Sequence, residues 1–96
     1  MIKHIVMWKL KEDSLEKGLS QLKTMLENMQ GTVEGLKTLE VGVNSTPVDT
    51  SCDLVLYTEF DSVEALNVFQ NHPKHKAIKQ TAKDWILHRH QVDYTC

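Results

Sequence analysis

The chain has 96 residues, of which 41% are hydrophobic and 25% charged, and its formal net charge is −2. This size predicts one domain over residues 1–96. The slight negative charge argues against a nucleic-acid partner, which requires a basic surface, and no apolar run approaches the roughly 18 residues of a membrane span.

The expected location is the cytoplasm. Lys3, His4 and Lys9 interrupt the apolar stretch that a signal peptide would need near the N-terminus. Cys52 and Cys96 are the only cysteines, which is too few for a disulfide scaffold and fits a reducing compartment.

The first two predicted elements are a strand and a helix. Residues 2–10 alternate between one face with Ile2, His4, Val6, Trp8 and Leu10 and another with Lys3, Ile5, Met7 and Lys9. The middle of this strand is apolar on both faces, so we expect it to be covered on both sides. Residues 14–30 form a helix with an apolar stripe of Leu15, Leu19, Leu22, Leu26 and Met29. Asp13 or Ser14 is expected to cap it, and Gly31 to end it in a left-handed turn.

Two more strands are predicted over residues 37–43 and 52–60, separated by turn-forming residues at 44–47. In the second of these strands Leu54, Leu56 and Phe60 share a face, and Asp53, Val55 and Tyr57 share the opposite one. A pocket acid at Asp53 therefore requires that its face turns inward.

Over residues 61–84 the sequence predicts two helices, separated by a break near His72. Asp61 or Ser62 is expected to cap the first, and Pro73 begins the second at a position where its missing N–H costs nothing. Residues 86–94 predict a final strand, in which Ile86, His88, His90, Val92 and Tyr94 share a face.

The order β-α-β-β-α-β predicts an α+β, ferredoxin-like fold with a four-stranded, mainly antiparallel sheet and both helical segments on one face. The other face would carry either Ile5 and Met7 or Val6 and Trp8. Either pair is apolar and needs cover. A second copy of the chain supplies that cover through a two-fold contact, so we expect a homodimer.

The segment Asn71-His72-Pro73-Lys74-His75 carries the strongest chemical motif. Histidines at this spacing fit proton chemistry or metal binding. His72 either contacts a ligand or caps the helix that begins at Pro73. No third metal ligand is placed by the sequence, so no metal site is predicted.

The chain resembles the stress-responsive dimeric α/β-barrel domain family over nearly its whole length. The resemblance rests on Lys3-His4-Ile5-Val6 with Trp8-Lys9-Leu10-Lys11, on the segment from Asn71 to His75, and on Val92-Asp93-Tyr94. The combination of these segments, in this order, carries it. It implies a stress-associated protein with the ferredoxin-like fold above, in which two protomers pack their open sheet faces into a barrel-like dimer.

The resemblance also implies catalytic candidates. One plant member of the family cyclises a linear polyketide with a histidine base at the position of His75, and a pocket histidine at the position of His4. A tyrosine of that enzyme falls at Phe69, which lacks the phenol, and a third pocket histidine falls at Asp53. These departures count against the same cyclase activity. Related dimeric barrels include haem-degrading and quinol-forming monooxygenases.

The candidate ligand contacts are Tyr57, Phe69, Asp53, Trp8 and His72, which combine apolar surface with a few polar groups. For the aromatic side chains core or interface packing is the alternative role, and for His4 it is that of a hydrogen-bonded core histidine. No cofactor is predicted, and the chain has no glycine-rich phosphate loop. It also has no nucleophile elbow, the turn that presents a catalytic serine.

Three hypotheses for the function follow. The first is a dimer that binds a small apolar or aromatic molecule. The second is a cofactor-independent cyclase, isomerase or lyase with His75 as general base. The third is a structural dimer without a ligand.

Overall fold

The computed structural model describes all 96 residues. The elements are β1 (Ile2–Leu10), α1 (Leu15–Glu27), β2 (Leu36–Val43), β3 (Leu54–Phe60), α2 (Val63–Asn71), α3 (Pro73–Ala82) and β4 (Ile86–Thr95). The strands form one sheet in the order β2-β3-β1-β4, and every neighbouring pair is antiparallel. The predicted ferredoxin-like fold is confirmed.

Local chemistry explains where the helices begin and end. Ser62 caps α2 as predicted, since its Oγ accepts a hydrogen bond from the Ala65 N–H at 3.1 Å. Ser14 occupies the cap position of α1 without a side-chain bond, and a 3₁₀ turn over Glu12–Ser14 precedes it. The prediction for the end of α1 is about three residues too long, because the chain turns after Glu27 and reaches a left-handed conformation at Gly31, with φ +78°.

The hydrophobic core lies between the helices and one face of the sheet. From β1 it takes Val6, Trp8 and Leu10, whose side chains are at most 6% exposed. The remaining core residues are Leu22, Leu26, Met29, Val33, Val41, Leu54, Leu56, Phe60, Ala65, Leu66, Phe69, Ile78 and Ala82. Three polar side chains are buried with them: His4, Thr58 and His75.

The opposite face of the sheet is not covered by any element of the chain. Ile5 lies between Tyr57 and Val92 in the register of the sheet, and Met7 between Val55 and His90. Of the two alternatives for β1, the pair Ile5 and Met7 is therefore the one on the open face. None of the helices is long and apolar enough to cross a membrane.

Candidate functional site

A cavity of about 430 Å³ opens on the helix side of the sheet. It lies between α3 and β4, because α3 packs on α1 and α2 rather than on β4. Its volume is within the range of small-molecule sites. It is lined by Val6, Trp8, Leu22, Leu26, Leu56, His75, Ile78, Lys79, Ala82, Lys83, Ile86 and Arg89.

His75 is the only histidine in the lining of this cavity. It lies in the first turn of α3, where Pro73 begins the helix. The ring is 5% exposed and contacts Phe69, with ring centroids 4.9 Å apart. Its Nδ1 atom is buried and has no hydrogen-bond partner. Buried polar atoms are nearly always hydrogen-bonded in folded proteins, so the unpaired Nδ1 of His75 is unusual.

Burial, together with the smaller effect of the positive charge of Lys79, lowers the pKa of His75 to about 4. The imidazole is therefore neutral at neutral pH. A neutral imidazole has one N–H donor and one acceptor nitrogen, so it can bind either kind of polar group on a ligand.

His4 lies deeper, next to Phe69 rather than in the lining of the cavity. Its ring centroid is 6.2 Å from that of Phe69. Its Nδ1 is 2.5 Å from the Asp93 carboxylate. Because a carboxylate only accepts, the hydrogen of the neutral ring is on Nδ1. Burial lowers the pKa of His4 despite the opposing effect of Asp93.

The other predicted site residues are dispersed. Trp8 lines the cavity. His72 is the cap of α3, since its Nδ1 accepts a hydrogen bond from the Lys74 N–H at 3.1 Å. The Asp53 carboxylate accepts a hydrogen bond from the Leu10 N–H at 2.7 Å, which joins the start of β3 to the end of β1.

Tyr57 lies on the open face of the sheet, opposite to the cavity. Its hydroxyl donates to the Glu59 carboxylate at 2.6 Å. It cannot reach the same ligand as His75, because the sheet separates the two side chains. The alternation of β3 indicated this separation, but only the placement of the helices shows which face the cavity occupies.

Four residues of this region were not predicted from the sequence. Lys79, Lys83 and Arg89 line the cavity, and Asp93 orients His4. The i, i+4 spacing of the two lysines places them on one face of a helix. That spacing alone does not show that β4 brings Arg89 to the same cavity.

No group of three or more histidine, cysteine or acidic side chains is arranged to hold a metal ion. His88 and His90 lie near each other. Their ring centroids are 6.4 Å apart on β4.

The fold and the cavity together define a small ferredoxin-like α+β protein with a cavity of about 430 Å³ on the helix side of its sheet. The family described as the stress responsive A/B barrel domain (Dabb) matches residues 2–96, and the chain belongs to this family. No protein with a curated description matches it with significant similarity.

Several solved structures are similar to this one. A dimeric protein with a ferredoxin-like fold from Bacteroides fragilis is 27% identical, with 97% of this chain and 93% of that chain covered and a TM-score of 0.86. A dimeric ferredoxin-like protein from Thermobifida fusca is 19% identical, with coverage of 99% and 90% and a TM-score of 0.88.

An enzyme is also among the similar structures. The hydroxynitrile lyase from Passiflora edulis is 18% identical, with coverage of 97% of this chain and 90% of that chain and a TM-score of 0.81. At this identity the likeness shows the shared fold alone.

Proposed function

We propose that this protein is a homodimer that binds a small apolar or aromatic molecule in the cavity between α3 and β4. The observation that supports it best is the buried, unpartnered Nδ1 of His75 in a largely apolar lining. Leaving such a group unpaired costs about 1–3 kcal/mol. Because of this cost, stability does not explain why a histidine occupies position 75. A role in ligand binding would explain it.

Binding is favoured over base catalysis by the protonation behaviour of His75. A general base works best when its pKa is near the operating pH, whereas the pKa of His75 is lowered to about 4. The second candidate function is a cofactor-independent enzyme with His75 as base and His4 as its neighbour across Phe69. This alternative is supported by the neutral state of His75, which leaves one nitrogen free to accept a proton.

The homodimer is supported by the open face of the sheet and by the dimeric state of the similar proteins from B. fragilis and T. fusca. Met7 and Val92 are 40% and 50% exposed on this face. A two-fold contact would bury both residues of each protomer at once.

A cytoplasmic, stress-associated role completes the proposal. It is supported by the family to which the chain belongs and by the two free cysteines, Cys52 and Cys96, which fit a reducing compartment. Cell fractionation with and without stress would test it. Recovery of the protein outside the cytoplasm would contradict the location.

Binding in the cavity is tested by titrating the protein with N-phenyl-1-naphthylamine. This uncharged aromatic compound becomes more fluorescent in apolar surroundings. Ile86→Trp adds a larger side chain to the lining of the cavity from β4, and we expect it to weaken binding by about tenfold or more, equivalent to about 1.4 kcal/mol. The matched control is Leu87→Trp, because Leu87 is adjacent in sequence, 53% exposed and not part of the lining.

Equal affinity of the wild type and Ile86→Trp would contradict the cavity as the binding site. Absence of binding to the wild type would favour the structural dimer without a ligand. Native mass spectrometry would identify a molecule that co-purifies with the protein. Incubation of that molecule with the wild type and with His75→Ala then separates the two candidate functions, because only an enzyme loses turnover while binding is retained.

A further inference from the structure

The lining of the cavity is strongly asymmetric in charge. Among its twelve residues are three cations, Lys79, Lys83 and Arg89, and no acidic side chain. The chain as a whole has 13 acidic and 11 basic residues. The three cations therefore form a local positive region in a protein of slightly negative net charge.

These cations also lack partners. Every ion pair that a lysine forms in the protein lies elsewhere: Lys3 with Glu59, Lys9 with Asp53, Lys23 with Glu27, and Lys37 with Asp61. No carboxylate pairs with Lys79, Lys83 or Arg89, which leaves their charge available to a ligand.

The three side chains come from both sides of the cavity. Lys79 and Lys83 lie one turn apart at the C-terminal end of α3, whereas Arg89 is on β4. The carbonyl groups at the end of a helix attract cations, which gives a structural reason for the two lysines. That reason does not apply to Arg89, which belongs to a strand.

The positive charges of Lys79 and Arg89 act on His75, which lines the cavity. Lys79 and Arg89 are both among the causes that lower the pKa of His75. An anionic group placed between these cations and His75 would therefore be attracted to the cations and would also have a neutral imidazole beside it as a hydrogen-bond partner.

We propose that the ligand of this cavity is a small amphipathic acid, with an apolar or aromatic body among Val6, Trp8 and Ile78 and an anionic group held by Lys79, Lys83 and Arg89. This proposal rests on the proposed binding function and specifies the class of ligand. A guanidinium can bind a carboxylate, sulfonate or phosphate through two parallel hydrogen bonds, and the lysines add point charges.

The test compares two compounds with the same aromatic skeleton. 8-Anilino-1-naphthalenesulfonate carries a sulfonate, and N-phenyl-1-naphthylamine does not. We expect Arg89→Gln and Lys83→Gln each to weaken binding of the sulfonate by about two- to fivefold, the usual range for partly exposed charge pairs. The triple variant Lys79→Gln/Lys83→Gln/Arg89→Gln should weaken it further, and all variants should bind the uncharged compound as the wild type does.

Two controls isolate the local charge effect. Lys76→Gln removes the same charge from the exposed side of α3, outside the cavity, and should leave both affinities unchanged. Arg89→Lys keeps the charge and should restore most of the affinity for the sulfonate. Higher ionic strength should weaken binding of the sulfonate alone.

Each of the other outcomes overturns a stated part of the proposal. If the triple variant binds the sulfonate as tightly as the wild type does, the acid-binding proposal is wrong and the apolar cavity remains. If the variants lose both compounds equally, the cations support the shape of the cavity rather than an anion. If the wild type binds neither compound, both this inference and the proposed function fail.

Discussion

At the scale of single residues, His75 combines features that do not favour stability. It is buried, its Nδ1 has no partner, and the pKa is lowered to about 4. An apolar side chain of similar size would avoid all of these costs. His4 is buried as well, but Asp93 satisfies its Nδ1, so its packing role is easier to explain.

The lowered pKa predicts how stability depends on pH. The unfolded chain protonates His75 as the pH falls through 6.5, whereas the folded chain does so only near 4, so the folded state loses stability between these values. The full shift corresponds to about 3 kcal/mol. His4 acts in the same direction, since its pKa is also lowered.

We expect His75→Leu to reduce this loss. Urea unfolding at pH 8 and pH 5 should show a smaller difference in the free energy of unfolding for the variant than for the wild type, and a more stable variant at pH 5. His72→Asn is the control, because asparagine preserves the cap of α3. An unchanged difference in His75→Leu would show that the histidine is not held neutral in the folded protein.

At the scale of elements, Gly35, the residue just before β2, allows the chain to pass close to the start of α2. Its φ is +93°, and a Cβ atom there would lie 2.5 Å from the Asp61 carboxylate and 2.7 Å from the Ala65 Cβ. The Gly35 carbonyl also accepts a hydrogen bond from the Asp61 N–H at 2.9 Å. Only glycine combines this backbone conformation with so close a contact.

Gly31 provides a matched comparison, since its φ is +78° but no atom lies within 4 Å of the position that a Cβ atom would take there. Gly31→Ala should destabilise the fold by about 1 kcal/mol through the backbone conformation alone. Gly35→Ala should cost about 1–3 kcal/mol more through the steric clash. Thermal unfolding measures both, and equal losses would contradict the close approach of α2.

At the scale of the whole molecule, the two faces of the sheet differ in what covers them. One face holds the core and the cavity, and the other presents Ile5, Met7 and Val92 without cover. Val6 is 1% exposed on the core face. A charge at Val6 would therefore unfold the protein rather than report on the interface.

Met7→Glu should convert the proposed dimer into a monomer, because the contact between the open faces would then bury an unpaired carboxylate from each protomer. Sedimentation velocity over a range of concentrations measures the change. The control is Val68→Glu on α2, where the side chain is 55% exposed and far from the open face. A Met7→Glu dimer as stable as the wild type would rule out this interface.

Much of this protein is determined by its sequence at short range. The alternation of β1, the apolar stripe of α1, the cap at Ser62 and the proline at the start of α3 all depend on neighbours within a few residues. These features predicted the order of the elements and the ferredoxin-like fold. His75 was indicated by the His-Pro-Lys-His segment and by the family resemblance. The ends of elements were less predictable, as in α1, because terminal turns gain little from each added residue.

Only the tertiary structure decided which face of the sheet is open and where the cavity lies. The helices cover the face with Val6 and Trp8, a choice that alternation alone leaves undetermined because both faces of β1 are apolar. The pairing of His4 with Asp93 joins residues 89 positions apart, and the cavity brings Arg89 to Lys79. Such contacts arise when whole elements pack, so no local pattern in the sequence contains them.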